Sequence, residues 1–203
     1  MKLLCLTHSL SEVDGVGKYG TEVLRRVAPR CDAVEVLLAR KHRGLSDRLP
    51  PGLDVQVALP PDYLLYLSWP KFAAYVAAAM PKVWAAVGRA DLVHALSDYP
   101  HAWLAVEAAK ARGKPVVVSG HGTYSVAPFR YPGHRRLIRR AYGRADALLL
   151  GSRFALSKLE EKARFERARV VRYGVDPTQA DGARDLAPPP STPERFVLTI
   201  GEL

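Results

Sequence analysis

A histidine between two glycines is the residue of this chain whose type and setting best suit chemistry. Gly120-His121-Gly122, followed by Thr123, comes directly after a predicted strand, Lys114 to Ser119, that holds the apolar run Val116-Val117-Val118. Parallel sheets bind ligands there, beyond the carboxyl ends of their strands. An imidazole so placed can exchange a proton or support charge developing on a bound substrate. A histidine that merely caps a turn would give the same pattern. The second stretch is Asp14-Gly15-Val16-Gly17-Lys18-Tyr19-Gly20. Its glycines let backbone approach a ligand, and the free N–H groups of a helix starting here would face that ligand, an anion best of all. Glycines that only let a helix pack tightly on a sheet would look alike.

Gly15-x-Gly17-x-x-Gly20 also satisfies the dinucleotide fingerprint. Two features argue against a dinucleotide. His8 to Asp14 separate Leu3-Leu4-Cys5-Leu6 from the first glycine, which is long for a pyrophosphate turn. Where an acidic ribose ligand is wanted about 20 residues on, the chain has Arg40, Lys41, His42 and Arg43. Those bases would suit a 2′-phosphate, so an NADP- or nucleotide-binding Rossmann protein stands as the alternative.

The elements that must position these stretches are legible as short apolar runs alternating with helical patterns, the signature of an α/β fold with a parallel sheet and helices on both faces. Strands are predicted at 2–7, 33–39, 53–59, 91–96, 114–119, 147–151 and 169–172. The first helix turns Tyr19, Val23 and Val27 to the sheet and is closed by Pro29. A helix over 69–88 carries Phe72, Val76, Met80, Val83 and Val87, with a kink or division expected at Pro81. Tyr63, Tyr66, Trp69, Tyr75 and Trp84 surround it, so it reads as a core-facing helix or as an amphipathic element for a membrane or lipid acceptor. Arg135, Arg136, Arg139 and Arg140 share one helical flank, either solvated or facing phosphates and anionic headgroups. A helix after Ser152 and Arg153 buries Ala155, Leu159 and Ala163.

The charge balance, 30 Lys+Arg against 20 Asp+Glu for a net +10 over 203 residues, favours acidic partners: phosphorylated substrates, anionic membranes or nucleic acid. Nucleic acid is not expected, because the aromatics do not alternate with basic residues as single-strand binding uses them. Cys5 and Cys31 form neither a disulfide framework nor zinc spacing. The apolar start gives way to Thr7, His8 and Ser9 rather than a cleavage site, so a cytoplasmic address is expected. The longest apolar region, 63–87, is broken by Pro70, Lys71, Pro81 and Lys82 and does not span a membrane. Residues 178–194, with Pro188-Pro189-Pro190 and Pro193, have linker composition, and a further strand is predicted over 196–200.

Taken in order, six stretches resemble the family 4 glycosyltransferases of the two-domain GT-B type. They are Gly15-Val16-Gly17-Lys18-Tyr19, Ala90-Asp91-Leu92-Val93-His94, Gly120-His121-Gly122, Ala145-Asp146-Ala147-Leu148-Leu149-Leu150-Gly151-Ser152, Gly174-Val175-Asp176 and Val197-Leu198-Thr199-Ile200-Gly201-Glu202-Leu203. The resemblance implies the N-terminal half of a GT-B fold: a Rossmann-like acceptor domain over 1–177, a linker over 178–194, and over 195–203 the first strand of a truncated donor domain. It implies hexosyl transfer with retention from a nucleotide-sugar donor, without a metal ion or other cofactor. His121 would be catalytic, beside the donor sugar. Gly15, Val16, Gly17, Gly120, Gly122, Thr123, Ser152 and Arg153 would line the donor and acceptor sites. Peripheral contact with the inner membrane face is a further expectation, for a lipid-linked or anionic acceptor. Asp14 and Tyr173 depart from the family pattern, which often has glycine and asparagine there. The diphosphate clamp and paired glutamates would belong to the second domain, so the chain alone is expected to fold but not to transfer sugar; a non-catalytic binding half that pairs with a separate donor domain is the further alternative.

Overall fold

The computed structural model describes residues 1–39 and 44–174, and the fold below is that of the unit Met1–Tyr173. Arg40, Lys41, His42, Arg43, Val175, Asp176, the predicted linker and the predicted strand 196–200 lie outside the described residues.

Seven strands form one sheet: β1 (Lys2–Thr7), β2 (Ala33–Ala39), β3 (Asp54–Leu59), β4 (Leu92–Ala95), β5 (Val116–Gly120), β6 (Ala147–Leu150) and β7 (Ala168–Val170). Their order is β3-β2-β1-β4-β5-β6-β7 and every pairing is parallel. The helices are α1 (Gly15–Val27), α2 (Trp69–Arg89), α3 (His101–Ala111), α4 (Thr123–Val126), α5 (Pro132–Arg144) and α6 (Arg153–Glu160).

Alternation along the strands builds two cores, because successive side chains point to opposite faces. Leu3, Cys5, Val34, Val36 and Leu38 pack under Tyr19, Val23, Leu24 and Val27 of α1. Leu4, Leu6, Val93, Ala95, Val116, Val118, Leu148 and Leu150 join the larger cluster formed with α2, α3, α5 and α6. Each buried leucine or valine contributes about 1.5–3 kcal/mol of transfer free energy, so both faces anchor the sheet. Strand order reverses between β1 and β4, and the loops leaving those two strands open a crevice at the carboxyl edge.

Where a kink or division was expected, α2 runs as one 21-residue helix through Pro81. Pro81 and Ala77, whose carbonyl loses its helical donor, both lie on the exposed side, where water can satisfy that carbonyl. Phe72, Ala79, Val83, Ala86 and Val87 are buried, so the apolar stripe of this helix is core. Glu107 of α3 accepts from Arg140 and Arg144 of α5 at 2.9 Å each, which assigns Arg140 to helix pairing. Arg135, Arg136 and Arg139 remain exposed.

Candidate functional site

Loops from β1, β4, β5 and β7 meet α1 above the reversal of strand order. The β5 strand ends in Gly120 because a larger residue does not fit there. A Cβ on Gly120 would lie 2.6 Å from the Ser125 Oγ and 2.7 Å from a Leu150 methyl. Gly122 has φ +57° and ψ −114°, a conformation that glycine alone adopts without strain. Thr123 then opens α4. The turn thrusts His121 over the crevice, half-buried.

Both ring nitrogens of His121 are engaged. Nε2 lies 2.8 Å from the Leu96 carbonyl, which can only accept, so Nε2 carries a hydrogen. Nδ1 lies 2.9 Å from the Tyr173 hydroxyl, which is also 3.2 Å from the Gly120 carbonyl and can turn its one hydrogen to either. Tyr19 presents its ring edge-on to His121 at 5.0 Å between centroids and meets Tyr173 at 4.9 Å. The Tyr19 hydroxyl is 3.1 Å from Ser119 Oγ, which is 2.9 Å from His94 Nε2. Burial, with His121 nearby, pushes the His94 pKa down to about 4, so the ring beneath the site is neutral at pH 7. Burial and the neighbouring Tyr19 and Asp98 push the Tyr173 phenol up to about 12, so it keeps its hydrogen.

Asp98 holds the loop from below, and sequence reasoning missed it. Its carboxylate is 5% exposed and accepts from the His121 main-chain N–H at 2.8 Å, the Ser125 hydroxyl at 2.7 Å and the Tyr142 hydroxyl at 2.8 Å. Three donors on one carboxylate compensate its removal from water. The available signal was a polar run, Ser97-Asp98, directly after a strand expected to end in a ligand crevice.

The glycine loop differs from the expected open helix start. Asp14 is the N-cap of α1, and its Oδ1 accepts the Gly17 N–H at 2.6 Å, so that donor is not free for a ligand. The Ser9 hydroxyl donates to Oδ2 at 2.7 Å, and His8 Nε2 lies 3.7 Å from Oδ1. Burial raises the Asp14 pKa, but hydrogen bonds from His8, Ser9 and Gly17 outweigh it and bring it down to about 2. Gly17 is buried, and a Cβ there would meet the Ser11 carbonyl oxygen at 2.4 Å, so its missing side chain serves packing. Gly15 is exposed with open space at its Cα, and Val16 is half-buried. Little more than one turn of α1 thus connects this loop to His121 through Tyr19. Ser152 caps α6 by accepting the Ala155 N–H at 3.0 Å, and Arg153 begins that helix, exposed. The structure joins Gly151, just before Ser152, to the His121 group: a Cβ on it would lie 2.5 Å from the Tyr173 ring. No group of three or more His, Cys, Asp and Glu suited to a metal ion occurs among the described residues.

The model of Glycosyltransferase Family 4 matches residues 13–179. The chain belongs to glycosyltransferase family 4. Its α/β architecture is accordingly the Rossmann-like half of a GT-B fold. Anabaena HepE (Alr3699), solved with UDP-glucose, is similar with a TM-score of 0.61 at 18% identity over 87% of this chain and 44% of that one. LpCGTa, solved with UDP, is similar with a TM-score of 0.55 at 8% identity over 86% of this chain and 53% of that one. The UDP-GlcNAc 2-epimerase of Methanocaldococcus jannaschii reaches 0.50 at 10% identity over 84% of this chain and 45% of that one. At these identities the likeness concerns the fold, and this family 4 chain spans about half the length of the structures it matches. None of the curated proteins compared matches the sequence. Among the described residues, no helix of the family 4 domain is long and apolar enough to cross a membrane.

Proposed function

We propose that this family 4 domain serves a retaining transfer of a hexosyl group from a nucleotide-sugar donor to an acceptor, with no metal ion or other cofactor. The observation that carries the reading is the His121 ring above the reversal of strand order, fixed at Nε2 by the Leu96 carbonyl and along its backbone by buried Asp98. In this role His121 orients the donor sugar and supports charge developing at the anomeric carbon. Gly120, Gly122 and Thr123 bring main chain close to that sugar. Ser152 and Arg153 form the cleft edge. A nucleotide-sugar donor is supported by UDP-glucose in HepE and UDP in LpCGTa. The clamp for the donor diphosphate is assigned to a second domain, so residues 1–203 alone do not transfer sugar in this reading.

In this reading the glycine loop faces chiefly the acceptor through Gly15 and Val16, while buried Gly17 packs the loop. An ionised carboxylate at the start of α1 repels a diphosphate and suits a hydroxyl, which it can accept from. The same carboxylate disfavours the NADP alternative, which needs the pyrophosphate at that helix start. A lipid-linked or anionic acceptor, met by peripheral contact at the cytoplasmic membrane face, is supported by exposed Tyr66, Trp69 and Tyr131 near the starts of α2 and α5. Those two helices carry no acidic residue.

The test is His121→Ala in the full-length protein, with UDP-glucose as the first donor screened. Transfer is expected to fall about 100-fold while circular dichroism keeps the wild-type fold. Unchanged turnover removes His121 from the site, and micromolar binding of NADPH in place of the sugar nucleotide restores the dinucleotide reading.

A further inference from the structure

The geometry points to Tyr173 as the positioning residue of His121, seated on Gly151, with a hydroxyl that holds the imidazole in one orientation whether Nδ1 is bare or protonated. The inference rests on the proposed role of His121 for its importance to transfer, but not for its structural content.

Nε2–H is committed to the Leu96 carbonyl, so in the neutral ring Nδ1 must accept, and the donor at 2.9 Å is the Tyr173 hydroxyl. When Nδ1 takes up a proton it becomes a donor. The same phenol oxygen can then accept from it, while the phenol hydrogen is passed to the Gly120 carbonyl at 3.2 Å. A hydroxyl rotation serves both states, and no heavy atom has to move. A phenol pushed up to about 12 stays protonated throughout. An asparagine carbonyl could only accept at such a position and its amide only donate, so a hydroxyl is the group that answers both states.

The seat is equally specific. The Tyr173 ring lies 2.5 Å from where a Gly151 Cβ would stand, is stacked at 24° and 6.0 Å on His121, and is tilted against Tyr19. Three rings from α1, the β5 loop and the segment after β7 therefore support one another, and glycine at 151 makes room for the third. Tyr173 is itself half-exposed, so deleting its hydroxyl removes the hydrogen bonds without opening a core cavity.

The experiment is a long-range proton–nitrogen correlation spectrum of the histidine rings in the nitrogen-15-labelled full-length protein, recorded without donor or acceptor. The His121 signals are identified by their absence in His121→Ala. Wild type is expected to show the Nε2–H tautomer with Nδ1 as a hydrogen-bonded acceptor. Tyr173→Phe should move the Nδ1 resonance toward that of a free acceptor while the melting temperature stays near wild type. Gly151→Ala, which retains the hydroxyl but obstructs its seat, should move it in the same direction. In the transfer assay Tyr173→Phe should lower kcat roughly five- to tenfold, as expected for one hydrogen bond, with KM for the donor little changed. A His121 spectrum unmoved by Tyr173→Phe overturns the positioning role. A moved spectrum in a protein that transfers no sugar leaves the positioning role standing and overturns the transferase reading.

Discussion

At the scale of the residue, Asp98 bears most on whether the site keeps its shape. Replacing it by alanine leaves the His121 N–H, the Ser125 hydroxyl and the Tyr142 hydroxyl without their shared acceptor. Unsatisfied interior donors of this kind should cost about 3 kcal/mol or more together. Asp98→Asn, which keeps one carbonyl but turns an N–H₂ toward a donor, should cost less. Urea unfolding of both variants checks the ranking, and a loss below about 1 kcal/mol for alanine would show that the carboxylate is dispensable. The loop position of His121 was legible because a histidine between glycines just beyond a buried strand stands where a parallel sheet ends, whereas its role was not, since a histidine that caps a turn gives the same pattern. Asp98 was not legible for a physical reason: its donors stand 27 and 44 positions further along, at Ser125 and Tyr142. Its immediate neighbours look like an ordinary approach to α3. Gly151 was similarly ambiguous, since only the fold brings Tyr173 back onto it.

At the scale of the element, α1 shows how one cap can change a site's charge. Asp14 satisfies Gly17 and leaves an anionic edge where bare N–H groups were expected from the glycine spacing. The sign of its pH dependence follows from its lowered pKa. The unfolded chain holds a proton on Asp14 below about 3.8, whereas the folded chain resists protonation until about 2. The cap therefore contributes fully above about pH 4 and its contribution is lost as pH falls toward 2. Asp14→Ala should lower stability by about 1 kcal/mol at pH 7, and the gap from wild type should close across that acidic window. A gap independent of pH in guanidinium titrations would assign the effect to packing instead. The strands were legible to within two residues at their ends because β-branched and leucine runs had Gly, Pro or Asp at their borders. The passage of α2 through Pro81 was not, because tolerance of an unpaired carbonyl depends on which side of the helix meets water.

At the scale of the whole molecule, buried imidazoles link the sheet to pH in a different range. His94 under the site is joined by His101 at the start of α3, which bonds Ser97 Oγ at 2.9 Å and the Pro60 carbonyl at 2.8 Å. Burial drives the His101 pKa down to about 4, partly opposed by the Pro60 bond. Between about 6.5 and about 4 the unfolded chain takes up protons that the folded chain refuses. Stability is thus complete above that interval and declines through it, by up to about 1.4 kcal/mol per pH unit for each histidine. Unfolding free energies measured across pH 7 to 4 should show this slope, and His101→Gln should flatten it by roughly half. An unaltered slope would place the proton uptake elsewhere. The strand order has another consequence, for the chain as it leaves the ribosome. β1 is made first and lies inside the sheet, β2 and β3 extend it on one side, and β4 through β7 extend it on the other. Every strand arrives at an edge already present and none has to be wedged between two earlier ones. The sheet can therefore be laid down in the order of translation, and the last additions, β6 and β7, bring Gly151 and Tyr173 to a His121 already in place.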